Sequence, residues 1–422
     1  MKRRTMLMGG AGAVLAGGTG AYLWRPSDLG QPHNAYFSGL NDMLRSDGPG
    51  RPVMLLDMER VNQNIDQIKT MVGPNKTYRI VVKSLPSIPL LRHTMTRANT
   101  KALMLFHQPF LNEIANEIPE ADVLFGKPMP VSAVKVFYDK LNKNTKFNPE
   151  TQVQWLIDTP ERLAQYQALA KELGVKMRIN FELDVGLHRG GFENPVSIRP
   201  LLDIIKTDPD HLMFAGYMGY EPQLTGMKAT LSDPAVQQVL DIYRGFVVEA
   251  EAAGYDSNQL TRNGAGSHTL GIYSEDTVMN DLSAGSAIVK PTDFDTYHLG
   301  ENEPALFIAS PILKRYDELR VPGDPAIARL LPLWNPNMQR IYYIYGGFWK
   351  ARVVSPGGVP EPIYQSTNQS PYTTSKKVDL QVDDYLFFRP TQSEFVMLQF
   401  GDLLVVDNNQ IVDTWPVFQQ TG

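Results

Sequence analysis

The chain has 422 residues, 43% of them hydrophobic and 20% charged, which is long enough to bury more than one hydrophobic core. Its 40 Lys and Arg against 45 Asp and Glu give a net charge of −5, which excludes the basic surface that binds nucleic acid. The absence of cysteine excludes disulfides, thiolate nucleophiles, iron–sulfur clusters and cysteine-ligated zinc.

The first 28 residues differ in composition from the rest of the chain. Arg3 and Arg4 precede residues 5–24, an uncharged stretch that contains six glycines. A basic start followed by an apolar stretch predicts an export signal or an N-terminal membrane anchor. The arginine pair resembles a twin-arginine signal, and an ordinary secretory signal is the alternative. We therefore expect a protein that is exported to the periplasm or tethered to the inner membrane through residues 5–24.

Short apolar segments typical of strands alternate with amphipathic helical segments from Arg51 onward. Pro160 begins one such helix and Gly174 ends it. The spacing predicts an α/β fold, a (β/α)8 TIM-type barrel over residues 51–295 that follows an N-terminal segment or linker over residues 29–50. A doubly wound open sheet is the alternative, but the first predicted strand lacks the glycine-rich turn of that fold. The eight predicted barrel strands are 52–58, 78–83, 102–107, 123–126, 154–158, 177–185, 212–219 and 260–263.

The pattern changes after about residue 291. Short strand-like segments are now separated by turns such as those at residues 356–358 and 408–409. This predicts a C-terminal all-β domain over residues 296–422. Its predicted strands are 305–312, 339–345, 350–354, 385–389, 403–407 and 411–415.

Two predicted strand ends carry charged side chains. Functional side chains of a barrel lie at the C-terminal ends of its strands. Lys83 ends the second predicted strand, where its amine can point into the barrel mouth as a nucleophile or extend into solvent. Glu182 and Asp184 end the sixth predicted strand on one face, close to Arg189. They form either a functional carboxylate pair or a structural ion-pair network.

A glycine-rich turn follows the eighth predicted strand. Residues 264–269 read Gly-Ala-Gly-Ser-His-Thr, and Gly285 and Ser286 come shortly afterwards. Backbone N–H groups and hydroxyls in such a turn can cradle a phosphate, and an ordinary loop is the alternative.

Taken in chain order, these features resemble the fold-type III pyridoxal phosphate enzymes, the alanine racemase-like barrels. Within that group the chain is most similar to the D-threonine aldolase and D-serine dehydratase branch. The resemblance rests on Lys83 at a strand end, the Glu-x-Asp-x-Gly-x-x-Arg run of residues 182–189, the Gly-Tyr-Met-Gly-Tyr-Glu run of residues 216–221, and the turn at 264–269. It covers residues 50–295 and is looser in the β domain.

The resemblance implies that pyridoxal 5'-phosphate is the cofactor and that Lys83 forms the Schiff base with it. It implies that Arg189 lies against the cofactor ring and that Tyr217 and Tyr220 line the substrate side. It also implies a homodimer. The residues implied to hold the phosphate are Gly266, Ser267, His268, Thr269, Gly285 and Ser286. The candidate acid–base groups are His188, Tyr220 and His268.

The chain departs from this branch at three places. Residues 84–86 are Ser-Leu-Pro where the branch usually has Thr-His-Lys, and residues 220–223 are Tyr-Glu-Pro-Gln where it often has Tyr-Glu-Gly-His. The aldolases carry a histidine-based metal pair late in the β domain, where this chain has Gln392 and Glu394. These two side chains offer oxygen to a hard divalent ion, but the usual site is absent. We therefore assign no metal ligand, and the question of metal dependence stays open.

We expect an enzyme that acts at Cα of a small amino acid of D configuration, by aldol cleavage or β-elimination. An amino-acid racemase is the first alternative, since it needs a second base opposite Lys83. A non-catalytic homologue that binds the cofactor is another. A barrel hydrolase of sugars that uses Glu182 and Asp184 is the last.

Overall fold

The computed structural model describes residues 25–320, 323 and 325–419. The predicted export or anchor stretch at residues 5–24 lies outside the described residues, so it stays a prediction. No helix in the described ranges is both long and apolar enough to cross a membrane. The described chain divides into two compact units, a barrel unit of residues 54–306, 390–408 and 412–419 and a sheet unit of residues 25–53, 409–411 and the described part of 307–389.

The predicted fold class is confirmed: eight parallel strands form a closed barrel surrounded by helices. Helix α1 (Ala35–Asp47) and strand β1 (Val53–Asp57) precede the barrel. The barrel strands are β2 (Thr77–Val81), β3 (Ala102–Leu105), β4 (Asp122–Phe125), β5 (Val153–Ile157), β6 (Met177–Leu183), β7 (Leu212–Gly219), β8 (Thr261–Gly264) and β9 (Asp281–Ala284). The helices are α2 (Met58–Val72), α3 (Ile88–Ala98), α4 (Gln108–Glu117), α5 (Val131–Lys140), α6 (Pro149–Gln152), α7 (Pro160–Leu173), α8 (Arg199–Thr207) and α9 (Pro234–Ala252).

The predicted order of barrel strands is wrong by one. The segment predicted as the first barrel strand is β1, which pairs in parallel with β15 (Asp402–Asp407), with Met54 opposite Leu403. The barrel is instead closed by β9, which pairs with β2 and places Asp281 opposite Thr77. Lys83 therefore follows the first barrel strand, and the glycine turn at 264–269 follows the seventh.

Strand β9 escaped the sequence analysis because it is short and half of its residues are polar. Asp281 is buried inside the barrel, where its carboxylate pairs with Arg79 at 2.8 Å. Arg79 also pairs with Asp122 at 2.7 Å. Burial lowers the pKa of Arg79, but Asp281 and Asp122 outweigh that effect and raise it. In β9 a buried ion pair stands where an apolar side chain would be expected, so the strand lacks the apolar pattern on which strand prediction depends.

The sheet unit contains α1 and most of the predicted β domain. Its strands are β10 (Leu306–Tyr316), β11 (Arg340–Ile344), β12 (Ala351–Ser355), β13 (Pro371–Thr374) and β14 (Tyr385–Pro390), and its other helix is α10 (Pro325–Trp334). Strand β10 pairs antiparallel with β14 and β11, and β11 pairs antiparallel with β13. Asn34 caps α1 by accepting the N–H of Phe37, and Asn41 and Arg45 of α1 bind Asp384.

The last part of the chain departs from the predicted division. Residues 390–408 and 412–419 belong to the barrel unit, although we predicted one β domain over 296–422. They contain α11 (Ser393–Phe400), β15 and most of β16 (Gln410–Pro416). This return of the chain brings Glu394 to the barrel.

Candidate active site

A cavity of about 480 Å³ lies at the C-terminal ends of the barrel strands. This is the end at which barrel enzymes place their active sites. Each barrel strand, or the residue that directly follows it, contributes to its wall. The charged and hydroxyl-bearing side chains that line it are Lys83, Ser84, Lys127, Asp158, Glu182, Arg189, Tyr220, Ser267, Ser283, Ser286 and Glu394.

Lys83 lies in a single 3-10 turn (Val82–Ser84) immediately after β2. Its side chain is 43% exposed, and its Nζ lies 3.1 Å from Oε1 of Glu394. The same nitrogen lies 4.9 Å from the centroid of the Phe106 ring. The amine therefore reaches the cavity as an ion-paired group.

Glu394 is held beside Lys83 by its neighbour in the chain. Ser393 Oγ donates a hydrogen bond to the carbonyl of Ser84 at 3.0 Å, and the hydroxyl of Ser84 lies 3.4 Å from Oε1 of Glu394. Two consecutive residues of α11 thus contact two consecutive residues of the turn after β2. From the sequence we considered Glu394 only as an oxygen donor to a metal. Nothing in residues 390–394 indicates that Lys83 is its partner.

The predicted glycine-rich turn and the pair Gly285–Ser286 come together at one side of the cavity. Ser267 Oγ accepts the N–H of Gly285 at 3.2 Å and the N–H of Ala287 at 3.1 Å. A Cβ on Gly285 would lie 2.6 Å from the carbonyl oxygen of Val81, so this position requires glycine. Ser286 Oγ donates to Ser84 Oγ at 3.0 Å. Hydroxyls and backbone groups therefore form a polar cradle at this wall.

Two residues predicted for the cradle do not line the cavity. Thr269 is fully buried, and its hydroxyl donates to Glu221 at 2.6 Å while accepting the N–H of Gly266 at 3.0 Å. Thr269 therefore stabilises the turn through hydrogen bonds on the side away from the cavity. The His268 ring stacks on Phe294 at 4.2 Å, and burial lowers its pKa. In a tight turn, neighbouring residues point in different directions, so Ser267 lines the cavity whereas His268 and Thr269 point away from it.

The prediction that Tyr217 lines the substrate side is wrong. Its side chain is fully buried, and its hydroxyl donates to the carbonyl of Phe246 in α9 at 2.7 Å. Successive residues of a strand point to opposite faces, so Tyr217 packs against a surrounding helix. Tyr220, just beyond the end of β7, does line the cavity.

His188 was predicted as an acid–base group, but its side chain is 79% exposed and does not line the cavity. Its Nδ1 lies 3.0 Å from Oδ2 of Asp184, and the other carboxylate oxygen of Asp184 accepts the N–H groups of Gly186 and His188. These hydrogen bonds lower the pKa of Asp184 although burial raises it. Asp184 therefore shapes the loop that carries Arg189.

The carboxylate pair predicted for sugar hydrolysis does not form, because Glu182 lines the cavity and Asp184 does not. Burial, together with the smaller effect of the nearby Asp158, raises the pKa of Glu182 to about 7. The positive charge of Arg189 lowers the pKa of Glu182. The guanidinium of Arg189 lies 5.7 Å from the centroid of the Tyr220 ring. Glu182 is thus a carboxyl group that can hold a proton near neutral pH.

Glu221 is a second such carboxyl group, and the sequence analysis assigned it no role. It is fully buried behind Tyr220, and burial raises its pKa to about 7. Its Oε1 accepts the Thr269 hydroxyl, while Oε2 has no hydrogen-bond partner among the described residues. The sequence shows a glutamate between Tyr220 and Pro222, but it does not indicate that this side chain is buried.

One group of possible metal ligands lies outside the cavity wall. Atoms of Asp184, His188 and Glu193 lie within 4.8 Å of one another. Asp184 is already committed to three hydrogen bonds in its loop, and the other two side chains are exposed. We had assigned no metal ligand, and this group was not among our candidates.

The donor set of the cavity fits pyridoxal phosphate. Ser267 Oγ already accepts two N–H groups, so its own hydrogen remains available to an anion such as a phosphate. Ser286 and the glycine backbone lie beside it, Lys83 supplies an amine, and Arg189 supplies a permanent positive charge. These groups match the phosphate, the aldehyde and the anionic ring oxygen of the cofactor.

Solved structures share the fold over nearly the whole described chain. D-threonine aldolase from Filomicrobium marinum has a TM-score of 0.68 at 13% identity, covering 87% of this chain and 96% of that one. D-threo-3-hydroxyaspartate dehydratase from Delftia sp. HT23 gives 0.61 at 14% identity, covering 88% and 98%. Alanine racemase from Clostridium difficile 630 in complex with cycloserine gives 0.65 at 13% identity, covering 86% and 98%.

None of the curated proteins compared matches the chain. The family model described as "Alanine racemase, N-terminal domain" matches residues 56–291, which is more than half of the chain. The enzymes of this family are fold-type III pyridoxal phosphate enzymes that act on amino acids. From the barrel, the cavity at its C-terminal end and this match, we conclude that the chain belongs to the alanine racemase N-terminal domain family.

Proposed function

We propose that the chain is a pyridoxal phosphate enzyme that acts at Cα of a small D-amino acid, by aldol cleavage or β-elimination. The observation that carries this proposal is that Lys83, Arg189 and the cradle of Ser267 and Ser286 line the same cavity. Lys83 would hold the cofactor through its amine, the cradle its phosphate, and Arg189 its ring oxygen.

The names of two structural neighbours support the substrate class. D-threonine aldolase and D-threo-3-hydroxyaspartate dehydratase are both named for D-amino acids. Their identity to this chain is 13% and 14%, so the likeness supports the fold, and the reaction is our inference. When bound, pyridoxal phosphate withdraws electrons from Cα of an amino acid and so weakens the bonds at that carbon.

Lys83 and Glu394 are the groups that we propose to move the proton. An amine acts as a base or nucleophile only after it has lost its proton, and a carboxylate 3.1 Å away can accept that proton. Glu394 would then return the proton to the amine after each turnover. Ser393 keeps the carboxylate in place through the carbonyl of Ser84.

An amino-acid racemase is the second candidate, and Tyr220 is the observation that favours it. A racemase needs a second acid–base group besides Lys83, and the Tyr220 side chain lines the same cavity. Burial raises the pKa of this phenol, so at neutral pH it carries a proton that it can donate. The third neighbour is an alanine racemase.

Product analysis separates these candidates and tests the proposal. Purified protein loaded with pyridoxal phosphate is mixed with individual D- and L-amino acids, with D-threonine, D-serine and D-alanine among them. Aldol cleavage releases an aldehyde, β-elimination releases a 2-oxo acid and ammonia, and racemisation yields the opposite enantiomer. Turnover of no amino acid by cofactor-loaded protein would instead support a non-catalytic homologue.

We also retain two proposals on assembly and location. Homodimer formation is expected from the family, whose enzymes are often dimeric. Export through the twin-arginine route, or tethering to the inner membrane, is expected from Arg3, Arg4 and residues 5–24. Analytical ultracentrifugation tests the first proposal, and fractionation of cells that express the full chain tests the second.

A further inference from the structure

Helix α10 (Pro325–Trp334) exposes an apolar surface, and none of its residues is buried. Ile327 is 45% exposed, Leu330 55%, Leu333 72% and Trp334 45%. Residues 327, 330 and 334 are spaced as one face of a helix, and Arg329 is the only charged residue in the segment. Soluble surfaces rarely gather so many large apolar side chains on one helix unless something covers them.

The start of the described chain lies at the end of this helix. The guanidinium of Arg25 donates a hydrogen bond to the carbonyl oxygen of Trp334 at 3.2 Å. Arg25 directly follows residues 5–24, the uncharged stretch that has the length of a membrane span. Arg25, where the apolar N-terminal stretch ends in the sequence, is therefore bonded to the last residue of the apolar helix α10.

We propose that α10 is a lipid-binding surface that lies in the membrane interface beside the N-terminal stretch. A helix of this kind lays Leu, Ile and Trp side chains among the acyl chains close to the headgroups. Tryptophan and arginine are the residues that anchor a protein at this depth, and Trp334 and Arg25 lie together here. The surface holds the protein at the bilayer, and this role is independent of the reaction that the cavity performs.

The observations favour lipid over a second protein copy as the partner. A protein interface needs a complementary surface, whereas a lipid interface needs only an apolar face next to basic groups. Residues 5–24 would bring α10 to a bilayer without any further contact. Covering of the helix by a second copy is then an outcome that the experiment must be able to show.

The test uses the full chain, with residues 1–24 intact, in phosphatidylcholine vesicles with or without brominated acyl chains. Bromine quenches tryptophan fluorescence only on close approach. The chain has five tryptophans, so the contribution of Trp334 is taken as the difference between the wild type and Trp334→Phe. We expect brominated vesicles to remove at least half of this contribution.

Two double variants make the test specific. Leu330→Glu with Leu333→Glu places charges on the exposed face, so it should abolish quenching of Trp334 and leave pyridoxal phosphate binding unchanged. Leu330→Phe with Leu333→Phe keeps the face apolar and should be quenched like the wild type. Trp334 fluorescence that is equal in both kinds of vesicle would overturn the proposal, including the case in which a second copy covers the helix.

Discussion

Nζ of Lys83 and Oε1 of Glu394 lie 3.1 Å apart, although Lys83 belongs to the first chain segment of the barrel unit and Glu394 to the second, which begins at residue 390. The contact exists because the chain leaves the barrel unit after residue 306 and returns to it at residue 390. We propose that this ion pair is functional, because the enzymes of the family use a lysine amine as their reactive group. On this proposal, Glu394 serves the proton transfers of Lys83.

Glu394→Gln should slow catalysis because the amide cannot accept the proton of the Lys83 amine. We expect kcat to fall by about 100-fold, with a much smaller change in KM. The rate at which cofactor-free protein regains the visible absorbance of bound pyridoxal phosphate should fall as well, and Glu394→Asp should restore part of both. Gln392→Ala is the matched control, since Gln392 does not line the cavity. Equal slowing by both variants would mean that Glu394 only supports the fold.

Tyr220 and Tyr217 form a natural pair for testing the cavity wall. Tyr220→Phe should lower kcat by about 100-fold if the phenol transfers a proton. Tyr217→Phe should leave kcat unchanged and lower the free energy of unfolding by about 1 kcal/mol, because its hydroxyl bonds only the carbonyl of Phe246. Steady-state kinetics and urea unfolding measure the two effects. A kinetic defect in Tyr217→Phe would contradict our placement of the active site.

Glu221 should make the stability of the protein depend on pH. Burial raises its folded-state pKa from 4.5 to about 7, so the group favours folding below pH 4.5 and loses this contribution as pH rises through about 7. Glu221→Gln removes the titration and keeps an acceptor for Thr269. The variant should therefore gain stability over the wild type between pH 5 and pH 8, by a few kcal/mol. Urea unfolding at both values measures this, and parallel pH profiles would show that the carboxyl does not titrate here.

Asp281→Asn should strongly destabilise the barrel because it leaves the Arg79 charge buried with one partner fewer. We expect a loss of about 3 kcal/mol in the free energy of unfolding. Asp122→Asn should cost less, since Asp122 is 37% exposed and water can replace it. Urea denaturation of the two variants provides the comparison. Equal losses would indicate that burial of the partner does not determine the cost.

The features that the sequence predicted are those that depend on local patterns. Parallel strands with amphipathic helices between them follow from hydrophobic periodicity, and this was enough for the barrel. Lys83, Arg189, Ser267 and Ser286 follow from short motifs at strand ends, and all four line the cavity. Their roles stay predictions until the variants are measured.

The features that it missed depend on distant contacts. Strand β9 is polar because Asp281 meets Arg79 across the barrel, and β1 pairs with β15 from the far end of the chain. The proposed role of Glu394 likewise depends on a distant contact, the ion pair with Lys83. Tyr217 and His188 failed as site residues for a different reason, because the direction of a side chain changes with every residue along a strand or loop.

The central claim is that Lys83 binds pyridoxal phosphate covalently in this cavity. The direct measurement is the visible absorbance of purified protein after incubation with the cofactor and removal of the excess, for the wild type, Lys83→Ala and Lys127→Ala. Lys127 is the matched control because it lines the same cavity. We predict that the wild type and Lys127→Ala retain the absorbance band and that Lys83→Ala lacks it. A band of wild-type strength in Lys83→Ala would contradict the account.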